Sequence, residues 1–232
     1  MSVFRAPGPL LVFCLLQVGI SAYSQEIITA ERYLETVAER YGQVRDYEAR
    51  IAIRSGNTDM YGTVIHLVPS FLRIDFTTPA GQVIVFNGEL LTVYLPEYRA
   101  VLNQSVSSSR RSGSAGASLA SAQGLTLLRR NYVPAFVTGP EPEPLEPGSS
   151  EMAVKLRLTR RSIAEGFREI ILSVNPATRL IRRMEGRTIT EGTVRFDFTE
   201  IKTNQGIPEQ RFIYDSPASA NMYNNFLFKD TD

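Results

Sequence analysis

Between Tyr47 and Asn103 the sequence is cut by turn signals every ~8–12 residues, too often for helices and at the spacing of short antiparallel strands. Tyr47, Ala49, Ile51 and Ile53 alternate with Glu48, Arg50 and Arg54 up to the turn at Ser55-Gly56-Asn57. Met60 to Val68 is a second run, stopped by Pro69, and Leu72, Ile74 and Phe76 then alternate with Arg73, Asp75 and Thr77. Residues 78–81 break the chain. Gln82–Phe86 and Leu90–Leu95 flank Asn87-Gly88, a strong hairpin signal, and Ala100–Asn103 pairs next. The pattern resumes at Met152, where Met152, Val154, Leu156 and Leu158 alternate with Lys155, Arg157 and Thr159. Phe167–Val174 and Arg179–Glu185 flank a turn at Asn175-Pro176. Thr188–Ile201 carries Val194, Phe196 and Phe198 on one face, and Arg211–Tyr214 is the last strand that reads clearly. The sequence therefore predicts a mainly β (α+β) fold with about eleven antiparallel strands.

Two segments read as helices. Thr29 to Tyr41 has a capping Thr29 and an apolar stripe of Tyr33, Leu34, Val37, Ala38 and Tyr41, with Gly42 placed to end it. Ser118 to Arg130 carries Leu119, Leu125, Leu127 and Leu128, although Gly124 weakens it. Two stretches read as loops: residues 104–118, rich in Ser, Gly and Ala, and residues 134–149, rich in Pro and Glu around Pro140-Glu141-Pro142-Glu143-Pro144. Two helices are few for a sheet of this size. A curved sheet with so little cover either fills its hollow with side chains or leaves an apolar pocket.

Composition limits the chemistry. Basic residues number 25 and acidic residues 24, and the formal net charge is +1. That balance argues against a phosphate-backbone binder, so no nucleic-acid partner is expected. Cys14 and His66 are the only residues of their types, which nearly excludes a metal site built on them. His66 lies within a strand with no nucleophile turn near it, and Ser112-Gly113-Ser114-Ala115-Gly116 lacks the Lys of a phosphate loop. The expectation is no enzyme and no cofactor. Four Arg-Arg pairs, at 110–111, 129–130, 160–161 and 182–183, could face anionic head groups, but solvated arginines are the simpler reading.

Residues 1–24 read as a secretory signal peptide. Arg5 is the basic start, Leu10–Ile20 is the apolar stretch, and Ala22-Tyr23-Ser24 offers small residues for cleavage. The apolar stretch is about half of what a spanning helix needs. Phe13 before Cys14 is too large for a lipidation site. The expected product is one soluble, monomeric, periplasmic domain, residues 25–232, without cysteine.

The order of these elements resembles the LolA-type periplasmic carriers of outer-membrane lipoproteins. The likeness is densest in residues 68–102, where Pro69, Leu72-Arg73-Ile74, Pro79, Asn87-Gly88 and Tyr94-Leu95-Pro96 follow the family's order. It continues through Leu172-Ser173-Val174-Asn175, Phe196-Asp197-Phe198 and Phe212-Ile213-Tyr214-Asp215-Ser216-Pro217. The resemblance implies an incomplete, unclosed β-barrel with a helical lid over an apolar cavity. The lid would be the N-terminal helix and residues 118–130. Cavity and lid residues that would meet acyl chains are Tyr33, Leu34, Val37, Ile51, Leu72, Ile74, Phe76, Val83, Val85, Leu91, Val93, Leu125, Leu128 and Phe196. On that placement, glutamate at Phe71 or Ile74 would abolish acyl binding.

The resemblance further implies acylated lipoproteins as cargo, an inner-membrane ABC lipoprotein-releasing transporter as donor, and handover either to an outer-membrane acceptor or directly to the membrane. One departure stands out: Val68 occupies the position of an Arg that latches the lid in the family. Two other readings share the fold. One is a carrier of free lipid or glycolipid. The other is a lipid- or lipoprotein-sensing regulatory protein, a branch that usually carries a second C-terminal domain, whereas this sequence continues only briefly past Pro217.

Overall fold

A computed structural model describes residues 28–106 and 120–226. The expected leader, Cys14, Leu119 and the pair Arg110-Arg111 lie outside the described residues. Helix α1 (Ala30–Gly42) starts where the sequence places it, with the Thr29 side chain accepting from the Arg32 backbone N–H at 3.2 Å. Strands β1 (Asp46–Ser55), β2 (Thr58–Leu67), β3 (Phe71–Thr78), β4 (Val83–Phe86), β5 (Leu90–Leu95) and β6 (Ala100–Ser105) then form an antiparallel meander. Helix α2 (Ala122–Asn131) is capped by Ser121, and Arg129 and Arg130 sit in its last turn, where the helix dipole favours them. After it come β7 (Tyr132–Phe136), β8 (Glu143–Pro144), β9 (Met152–Arg160), β10 (Phe167–Val174), β11 (Ile181–Thr188), β12 (Thr193–Thr203) and β13 (Asn221–Asn224).

The sheet has thirteen strands among the described residues, in the order β13-β6-β5-β4-β3-β2-β1-β12-β11-β10-β9-β7, with β8 paired to β9. Its end strands β13 and β7 do not pair with each other, so the barrel is unclosed. The count exceeds the expected eleven for local reasons. Strand β7 was hidden by Pro134, which an end strand tolerates. Strand β8 lies within the Pro/Glu loop and β13 is polar, so neither shows alternation. Conversely, Arg211–Tyr214 is not a strand: Glu209–Phe212 is a 3₁₀ turn.

The sheet has two buried faces. The inner face carries the main core, closed by both helices. The outer face is covered in part by two straps, with Arg50, Glu200 and Lys202 exposed between them. Residues 204–226 cross β2–β5, where Ile207 and Phe212 pack on Ile65, Val83 and Val85. The strap is anchored at Asp46, whose carboxylate accepts from the backbone N–H of Gln205 (2.6 Å) and Gly206 (3.0 Å). Arg73 holds it further along, bridging Asp75 (2.9 Å) to the carbonyl oxygens of Arg211 (3.0 Å) and Ile213 (3.3 Å).

The Pro/Glu segment is the second strap. A register shift opposite Ser173 and Val174 makes Arg182 an extra residue, so Arg182 and Arg183 both reach the outer face. There they bind Asp197, at 3.1 and 2.6 Å, and hold the strap's Glu151 and Glu146, each at 2.7 Å. The paired Arg183 guanidinium keeps the Glu146 carboxyl below its ordinary value of 4.5. These arginines are partnered, which removes one of the four Arg-Arg pairs from the candidates for head-group binding.

Candidate functional site

Directly paired residues in an antiparallel sheet share a face, so the register maps the hollow side by side. One row runs Tyr47, His66, Leu72, Phe86, Leu91, Gln104 across β1 to β6. The next runs Ala49, Val64, Ile74, Ile84, Val93, Leu102. A third joins Ile51, Gly62 and Phe76, and continues through Ile51 to Phe198 on β12. Gly62 is required in that row, because a Cβ there would stand 2.4 Å from the Asp75 carbonyl oxygen. Burial is uneven along the rows: Leu72 and Ile74 are buried and Phe86, Leu91, Ile84, Val93 and Leu102 are half-buried, whereas Gln104, at the far end of the first row, is 1% exposed. The inner face thus runs from a sealed core toward an open apolar flank on β4–β6.

The sealed part is filled by the helices. Leu34, Val37 and Leu125 are fully buried, and Tyr33 and Leu128 are 2% exposed, all within the main core. The void left among Tyr41, Val44, Tyr47, Ala49 and Phe198 is about 10 Å³. Ligand pockets for molecules of drug size run to about 300–1,000 Å³, so this void among the described residues is far too small to hold one. An apolar ligand of that size enters this part of the core only if the helices yield.

Few polar contacts hold α1 in place. Tyr41 accepts a hydrogen bond at its hydroxyl from the Ile181 backbone N–H (3.2 Å), and burial pushes that hydroxyl's pKa up to about 12. Arg40 donates to the Thr178 carbonyl (3.3 Å), and the Arg179 guanidinium lies 4.6 Å from the centre of the Tyr33 ring. All three reach the β10–β11 turn and the start of β11. Glu35 pairs with Arg129 of α2 at 3.2 Å. Val68, in contrast, is 41% exposed and its backbone N–H binds the Arg45 carbonyl. The fastening of α1 therefore sits across the sheet from the position where the family resemblance puts a latch.

The structure brings most of the expected residues together. Tyr33, Leu34, Val37, Leu125 and Leu128 meet Ile51, Leu72, Ile74 and Phe76 in one core, with Phe196 packed at its margin. Leu91 and Val93 lie on the same inner face by register. Val83 and Val85 do not: both are in the outer cluster under the C-terminal strap. Phe71 is also on the outer face, its ring 5.3 Å from that of Phe212, so a charge there would strike the strap and not the hollow. Sequence reasoning passed over Ile84 and Phe86, which take the inner positions of β4. Their pairing with Ile74 and Leu72 would have exposed them had the strand offset been known. Among the described residues no group of three or more His, Cys, Asp or Glu could hold a metal, and no helix is long and apolar enough to cross a membrane.

No family model and no curated protein matches the chain. Solved structures do. An uncharacterized conserved protein from Thermus thermophilus is 15% identical with a TM-score of 0.54, covering 84% of this chain and 98% of that one. The lipoprotein LppX of Mycobacterium tuberculosis is 13% identical with a TM-score of 0.51, covering 77% and 97%. In the MucA/MucB complex of Pseudomonas aeruginosa the match is 16% identical with a TM-score of 0.50, covering 83% of this chain and 62% of that one. At these identities the likeness is one of fold: the chain has the unclosed, helix-roofed barrel that its resemblance to the LolA-type carriers implies.

Proposed function

We propose that the chain is exported by residues 1–24 and that residues 25–232 act as a periplasmic carrier of acyl chains. The cargo in this reading is a lipoprotein released from the inner membrane and shuttled toward the outer membrane. The observation that carries it is the pairing of a broad apolar inner face with two short helices whose leucines fill it. A permanent core has no need of a flank left half-exposed on β4–β6. The energetics call for such a device. At about 0.8 kcal/mol per methylene, three acyl chains with roughly 45 methylenes in all would cost on the order of 36 kcal/mol fully exposed to water. Cargo and helix leucines would compete for the same surface, which allows both shelter and release.

The reading is tested by adding the purified protein to spheroplasts of its own organism and probing the soluble fraction by mass spectrometry. Stoichiometric acylated lipoprotein is the expected result, with release dependent on the inner-membrane transporter. Free lipid alone would move the cargo to lipid or glycolipid. Neither would leave the regulatory reading, which the fold shared with the MucA/MucB complex favours.

A further inference from the structure

Two inner-face side chains, Tyr33 and His66, bury a polar atom without a hydrogen-bond partner among the described residues, and His66 is the one carried by the sheet. It projects from β2 onto the inner face between its paired neighbours Tyr47 and Leu72 and is 3% exposed. Its ring stacks on that of Tyr47, with centroids 5.3 Å apart and planes 13° from parallel. Among the described residues no group offers its Nε2 a hydrogen bond. A buried nitrogen without a partner destabilises the state that buries it. A phenylalanine would keep the stack on Tyr47 and remove that cost. The imidazole also stands second in the inner row that continues through Leu72 and the half-buried Phe86 and Leu91 to Gln104.

We propose that His66 is a recognition point for cargo, its Nε2–H donating to the ester or amide carbonyl at the head of an acyl chain that lies along this row. The inference rests on the acyl-carrier reading and adds to it a polar contact with a defined ligand group. Burial holds the imidazole pKa down to about 4, so the ring is neutral near neutral pH. A neutral imidazole can carry its proton on Nε2 and suits an uncharged carbonyl better than a phosphate. The same carbonyl chemistry occurs in a free acylglycerol and in the lipid anchor of a lipoprotein.

The test is displacement of the uncharged fluorescent probe N-phenyl-1-naphthylamine by 1-monopalmitoylglycerol and by a synthetic triacylated lipopeptide. The proteins are the purified wild type, His66→Phe and His66→Gln. Expected for His66→Phe are a melting temperature without ligand raised by about 2–4 °C, probe binding weakened only as far as the more stable closed state requires, and affinity for one or both acyl ligands about five- to tenfold weaker beyond that shared loss. His66→Gln, which keeps a donor, recovers part of that affinity. Weakening confined to the acylglycerol identifies free lipid as the source, and weakening confined to the lipopeptide identifies lipoprotein. Losses for both acyl ligands no larger than the loss for the probe overturn the role of His66 and leave the carrier reading intact. Failure of the wild type to bind either ligand overturns both.

Discussion

Replacing Leu128 by alanine should make the protein less stable and a better binder. Leu128 is 2% exposed, on the inner side of α2. Removing three carbons forfeits about 2.4 kcal/mol of transfer energy, and the residual cavity brings typical buried Leu→Ala losses to about 2.7–5.0 kcal/mol. The loss falls on the closed arrangement, since a displaced α2 no longer buries Leu128 against the sheet. If cargo binds only when the helices yield, apparent affinity scales with the fraction of molecules that have yielded. A shift of about 3 kcal/mol raises that fraction by on the order of 100-fold until it saturates. Urea unfolding gives the stability change, and displacement of a fluorescent probe by monopalmitoylglycerol gives the affinity. A fall in stability with unchanged or weaker binding would refute the competition between helix and cargo, and would make α2 an ordinary part of the core.

The two faces of the sheet and its buried polar groups lead to further expected outcomes. Phe86→Glu places a charge on the inner flank and should weaken acyl binding on the order of tenfold or more, whereas Phe71→Glu should loosen the C-terminal strap to proteases and leave binding intact. Asp46→Ala strips the acceptor from three backbone N–H groups and should cost roughly 2–4 kcal/mol in urea unfolding, with early cleavage between residues 204 and 226. The His66 pKa is held near 4 in the fold against an ordinary 6.5, so the unfolded chain takes the proton first as pH falls. Stability should therefore drop between pH 6.5 and about 4, by roughly 3 kcal/mol at 1.36 kcal/mol per pKa unit. That slope should be missing from His66→Phe, and parallel stability curves for the two proteins would contradict the assignment.

Much of this architecture is legible in the sequence because most of its strands bury one face more deeply than the other. Alternation in Tyr47–Ile53 and Leu72–Phe76 marks the inner face correctly for that reason. It fails in Val83-Ile84-Val85-Phe86, where all four residues are apolar, Val83 and Val85 under the strap and Ile84 and Phe86 half-buried on the inner flank. Only the C-terminal strap, more than a hundred residues later, decides that Val83 and Val85 point outward. The same strap explains the misread Arg211–Tyr214: Phe212 is buried against the sheet from outside, which gives a strand-like pattern to a 3₁₀ turn. Arg182-Arg183 looked like a charged surface pair because a register shift cannot be read from one strand alone. His66 does lie within a strand, as its sequence context indicates; its burial and its lack of a partner at Nε2 depend on what packs over the inner face, which one strand cannot reveal.

The claim that the inner face carries acyl chains is tested most directly by photo-crosslinking. A benzophenone side chain can replace Phe86 on the inner face or Tyr94 on the outer face, two half-buried aromatic positions on neighbouring strands. Irradiation with a radiolabelled palmitoyl lipopeptide should label the protein carrying the group at Phe86 and leave the Tyr94 protein unlabelled. Equal labelling at both positions, or labelling only at Tyr94, would contradict the account.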